Sequence, residues 1–148
     1  CNMHGEMERA DFTNCQLDGC WISFSNLANA SFENAKTNRC LFGTDDMQNT
    51  DFRHAMLQGG ANFQQSLLPG ADFTGANLSG VNFESANLTG AIMANANLTN
   101  AYLAGANLTD VMWSGADISN ARFPNSSGAT FAGAHGQASA QQDGSSSK

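Results

Sequence analysis

A bulky apolar residue returns at every fifth position through most of this chain. One series runs Met7, Phe12, Leu17, Ile22, Leu27, Phe32, Thr37, Phe42, Met47, Phe52 and Leu57, and a second runs from Phe63 to Phe123 at the same step. Of these 24 centres only Thr37 is not apolar. The step from Leu57 to Phe63 is six, so one residue is inserted, at Gly59–Gly60. A period of five excludes both ordinary elements. On an α-helix five residues advance the chain by about 500°, so successive centres scatter around the cylinder. On a flat strand an odd step puts successive centres on opposite faces. The pattern works if the chain turns a corner after each quintet and always presents its centre to the inside. The Gly, Asn, Asp, Ser and Thr between centres suit tight corners. A unit this short cannot bury its own centre, so coils must stack.

The quintets themselves, "ADFTG ANLSG VNFES ANLTG AIMAN ANLTN AYLAG ANLTD", resemble the A(D/N)LXX signature of the pentapeptide-repeat family over roughly residues 5–125. The resemblance implies an all-β fold, a right-handed quadrilateral parallel β-helix of about six coils, with four quintets per coil. It also implies that the centre and the small first residue of each quintet point inward and the other three outward. The chain then divides into an N-terminal extension (1–4), the β-helix (5–125) with its insertion near 59–60, a C-terminal capping segment (126–134) and a tail (135–148) that reads as disordered from its small, polar composition.

Since four quintets close one coil, twenty residues return the chain to the same face. Phe12, Phe32, Phe52, Phe73, Met93 and Trp113 therefore form a core ladder, and Ile22, Phe42, Phe63, Phe83, Leu103 and Phe123 a second. Cys20 and Cys40 fall in neighbouring inward slots, either as a redox pair or as two small residues in alanine positions. Residues 35–51 fit worst. Thr37 stands where a large centre belongs, and Asp45 occupies a small inward slot. Because an unpaired buried carboxylate is costly, a local bulge with solvated acids is expected there. Asp45, Asp46 and Asp51 resemble a calcium loop only in part, lacking its glycine and terminal glutamate.

Outward positions carry the surface. Trp21 and Leu41 are expected to stack on one outer face with Phe24 at the next corner, forming a candidate partner-contact patch. Ile92 and Met112 form a weaker patch, with Tyr102 standing alone. Asp11, Asp51 and Asp72 form an acidic stripe with Ser31 among them. His4, His54 and His135 are far apart, no phosphate loop, nucleophile elbow or zinc spacing occurs, and a solid coil leaves no pocket, so neither an enzyme nor a cofactor is expected. The net charge of −7, with only 6 Lys plus Arg, argues against direct nucleic-acid binding. No apolar run reaches the ~18 residues of a membrane span. Cys1 reads as a processed end or a lipidation site.

The leading expectation is a non-catalytic scaffold that binds another protein along a face or through its open coil ends. The family resemblance adds two alternatives. One is a DNA-mimicking protector of DNA gyrase; the other is an accessory subunit of a photosynthetic or other membrane complex. The cytoplasm and the thylakoid lumen both fit.

Overall fold

The structure is a computed structural model and describes residues 2–57 and 59–136. It is a right-handed quadrilateral β-helix. Its register is written in isolated parallel bridges that define four faces. The first face carries the column Asp11, Ser31, Asp51, Asp72, Ile92 and Met112. The second carries Gln16, Lys36, Met56, Asn77, Asn97 and Asp117, ending at His135. The third carries Trp21, Leu41, Asn62, Asn82, Tyr102 and Arg122, and the fourth Asn26, Asp46, Leu67, Asn87, Asn107 and Ser127. Cys1 and residues 137–148, which hold the expected processed end and most of the expected tail, lie outside the described residues.

One quintet shows why the sequence folds this way. Phe73 donates its backbone N–H to the Ile92 carbonyl of the next coil (2.7 Å), while its own carbonyl accepts from Ala76 N–H (2.9 Å) and closes the corner. Gly75 lies in the left-handed region at φ 68°, as the third residue of such a turn requires. Other corners put Asn there, which tolerates that region. The Asp72 carboxylate accepts from the Thr74 backbone N–H at 2.9 Å. Asn62, Asn77, Asn82, Asn87, Asn97 and Asn107 do the same two residues on. The acidic or amide second residue thus satisfies a corner N–H that the ladder leaves free.

The centres from Leu17 to Phe123 and the small first residues from Cys20 to Ala121 are buried, whereas Met7, Ala10, Phe12 and Cys15 in the first coil are half-buried. In the first ladder Phe12, Phe32, Phe52 and Phe73 stack with ring centroids 4.7, 5.0 and 4.9 Å apart. In the opposing ladder Phe42, Phe63 and Phe83 stack at 4.8 and 5.1 Å. The two ladders meet edge to face at 5.5–6.0 Å, the arrangement that ring quadrupoles favour. At the far end Phe131 closes the core, its ring 4.9 Å from Trp113 and 4.6 Å from Phe123.

Three features differ from the sequence reading. The sequence places an extension over 1–4 and starts the coil at residue 5. Instead, β1 (Asn2–Glu6) pairs in parallel with β2 (Trp21–Asn26), with an irregularity between Met3 and Gly5. Residues 35–51 do not bulge: the bridges Lys36↔Met56, Leu41↔Asn62, Asp46↔Leu67 and Asp51↔Asp72 run straight through them. Asp45 is 1% exposed in its small slot, and Thr37 is buried in its centre position. The inserted residue sits at a corner, where Gly59 and Gly60 both have positive φ. It lengthens the register from Lys36↔Met56 to Leu41↔Asn62 by one residue without breaking a column.

Candidate partner-binding face

The third face and its corner with the fourth gather the exposed apolar residues of the first coils. Trp21 is 54% exposed, Phe24 80% and Leu41 38%. Trp21 and Leu41 are bridge neighbours in one column. A shallow groove of about 220 Å³ runs beside them, with Gly43 and Thr44 on its floor and side. A second apolar hollow lies between Trp21, Phe24 and the β1 residues His4 and Gly5. Leu67, bridged to Asp46 on the fourth face, is also exposed and extends the apolar surface past the corner.

Phe24 is the most unusual of these residues. Its φ is 55°, a region that disfavours bulky L-residues by about 1 kcal/mol. Phe131 adopts the same conformation (φ 54°) but packs against two core rings in return, one tilted and one edge to face. Phe24 projects into solvent and makes no aromatic contact among the described residues. Phe24→Gly is accordingly expected to raise stability by about 1 kcal/mol or less, read as a higher denaturation midpoint. A lower midpoint would show that Phe24 does packing work.

Directly beneath this corner lies Asp45. Its Oδ1 accepts the Ser25 backbone N–H at 2.8 Å, and its Oδ2 has no partner. Burial pushes its carboxyl up to about 7, the Ser25 N–H pulling the other way. Cys20 and Cys40 are buried free thiols. Burial raises both, Cys40 to about 11, and the Cys40 thiol donates to the Leu17 carbonyl at 2.9 Å. They are small residues filling inward slots, in a state unsuited to nucleophilic chemistry.

The other sequence-flagged residues separate. Ile92 and Met112 are bridge neighbours on the first face; Met112 is exposed and Ile92 half-buried. They continue the column that begins with Asp11, so the acidic stripe gives way to an apolar one. Tyr102 does not stand alone. It belongs to the Trp21 column, and the Arg122 guanidinium lies 5.1 Å from its ring centroid, a cation–π distance. The sequence reading missed Met56 and Leu67, although apolar residues in second positions marked them as they marked Trp21 and Leu41. Asp51 is held below the usual carboxylate range: burial opposes this, but Arg53 outweighs it through hydrogen bonds and an ion pair at 2.7 Å. Among the described residues no cluster of His, Cys, Asp and Glu could hold a metal ion, and no helix is long and apolar enough to cross a membrane.

Comparison with known proteins agrees with this geometry. The profile of the pentapeptide repeats, in eight copies, matches residues 60–95 and 91–127. Full-length QnrB1, a plasmid-mediated fluoroquinolone resistance protein, is similar in structure at a TM-score of 0.69, with 18% identity over 85% of this chain and 72% of that one. A pentapeptide repeat protein from the thylakoid lumen of Arabidopsis thaliana is 29% identical over 72% of this chain and 67% of its own, at 0.55. One from the cyanobacterium Cyanothece 51142 is 24% identical over 80% of this chain and 90% of its own, at 0.50. The first and third likenesses concern the fold alone. No curated protein matches the chain.

Proposed function

Because this chain is a pentapeptide-repeat protein, we propose that it is a non-catalytic scaffold whose third face binds another protein. The observation behind this reading is the Trp21–Phe24–Leu41 surface on a rigid coil. Three large apolar side chains are exposed together there, one of them in an unfavourable backbone conformation. Apolar clusters of this kind mark contact sites, and buried aromatic anchors dominate interface energies. Among the described residues the interior is filled by packed side chains, which supports a role carried by the surface.

The gyrase-directed alternative has less support. A DNA mimic needs regularly spaced negative charge, whereas the acidic column Asp11–Asp51–Asp72 passes into Ile92 and Met112, and Arg53 neutralises Asp51. The 29% identical lumenal relative supports the accessory-subunit alternative, which also acts by binding.

The test is affinity capture from the native source with wild-type chain and with the double variant Trp21→Asp, Leu41→Asp. A defined protein is expected to co-purify with the wild type and to be lost, by about tenfold or more, with the double variant, while both keep the same circular dichroism spectrum. Equal capture by both removes this face as the binding site.

A further inference from the structure

The two faces that meet at Phe24 differ in character. On the third, Trp21 and Leu41 flank the groove above Gly43. On the fourth, the carboxylates of Glu6 and Asp46 occupy the same column, with Asn26 between them in register. The Asn26 amide donates to Glu6 Oε2 at 2.9 Å. Glu8 and Arg9 follow at the next corner, 3.9 Å apart. Exposed Leu67 follows Asp46 in the column. The opposite border of the third face is mixed, with Arg39 at the corner before Leu41 and the acid Asp18 at the corner before Trp21 in the neighbouring coil.

We infer that this corner accepts a basic amphipathic helix of the partner, its apolar side on Trp21, Phe24 and Leu41 and its cations toward Glu6 and Asp46; the inference rests on the binding face proposed above. Spacing favours a helix lying along the stack. Coils repeat at strand spacing, about 4.8 Å, and a helix repeats each turn at about 5.4 Å. Side chains one turn apart therefore meet successive coils, beside the groove that Gly43 lines. An extended strand presents same-side residues about 6.8 Å apart and falls out of step after one coil. Charge then biases the orientation, since two acids stand at the Glu6–Asp46 border to attract basic residues, whereas Arg39 and Asp18 offset one another at the other. Attraction of this sort mainly speeds encounter and fixes register, and salt weakens it.

The experiment uses the full chain and two synthetic amphipathic helices identical in their leucine face, one carrying lysine and the other glutamate. Each is labelled and followed by fluorescence anisotropy, with Trp21 emission as a second readout. The lysine helix is expected to bind, to shift Trp21 emission to the blue, and to weaken with added salt. Glu6→Gln with Asp46→Asn weakens it about tenfold, whereas Asp110→Asn, on an exposed distant corner, leaves it unchanged. Equal binding of the two helices, no binding of either, or indifference to the Glu6/Asp46 pair overturns the basic-helix inference. Trp21→Asp with Leu41→Asp separates the two levels. If this variant abolishes lysine-helix binding while the Glu6/Asp46 variant does not, the apolar face stands and only the charge argument falls. If neither variant matters, both fall.

Discussion

Replacing Asp45 with asparagine is expected to remove a pH dependence that the wild-type fold displays between about pH 4 and pH 7. The folded carboxyl lies at about 7 against an ordinary 3.8 because burial disfavours its charged form. A raised folded value means that the folded state holds a proton which the unfolded chain has already lost. Stability from this group is therefore fully present below about pH 4, falls as the pH rises, and levels off above about 7. The difference corresponds to about 4 kcal/mol at most, a large part of a typical domain's stability. Asparagine keeps an oxygen for the Ser25 N–H and cannot ionise. Denaturant midpoints should therefore coincide for the two proteins at pH 4 and diverge in favour of Asp45→Asn by pH 8. A flat wild-type profile over this range would refute the assignment. Asp11 and Asp117 act with the opposite sign. The Thr13 and Ser119 hydroxyls and backbone N–H groups hold their carboxyls low, so their contribution disappears only in acid, outside the Asp45 window.

The second large effect is in the ring ladders. Phe63 touches Phe42 and Phe83 along its own ladder at 4.8 and 5.1 Å, and Phe52 and Phe73 across the core at 5.5 and 6.0 Å. Phe63→Ala removes one ring from four contacts at once. The coil is fixed by backbone bonds above and below, including Phe63 N–H to the Asn82 carbonyl at 2.7 Å and Asn62 N–H to Cys40 at 3.0 Å, so it cannot collapse onto the void. A loss of about 3–5 kcal/mol is expected, visible as a large fall in the chemical denaturation midpoint. Phe63→Leu should lose less, since the leucine side chain refills part of the slot and leaves a smaller cavity. Equal midpoints for wild type and Phe63→Ala would mean that backbone stacking alone holds the coil.

The corner after each quintet and the inward centres could be read from spacing, while the right hand and the four sides came from the family resemblance. A core residue every five positions, a small residue two before it and a turn-former two after it leave little freedom, and the buried ladders follow those positions. What escaped the sequence depended on partners one coil away. Asp45 is buried where local pattern argues against it: its Oδ1 accepts from the Ser25 N–H, twenty residues earlier, a contact that no local pattern announces, while its Oδ2 stays unpartnered. β1 escaped because its Met3 precedes Met7 by four residues rather than five, so that the beginning of the solenoid breaks its own rhythm. Tyr102 was placed apart from the Trp21 column, although counting through the inserted residue joins them. For the candidate binding face, the sequence supplied Trp21, Phe24 and Leu41. The left-handed backbone of Phe24 and the flanking column of Glu6, Asn26 and Asp46 needed coordinates, since both depend on which corner each residue occupies.

The extra residue at Gly59–Gly60 has a practical consequence. Four walls tolerate no change of length, because each wall residue is bonded to its counterparts above and below; a vertex can lengthen while the walls continue undisturbed. A guest sequence spliced between those glycines would be displayed beside the Leu41 wall, so the molecule can serve as a frame for grafted loops, with the vertices as its sockets.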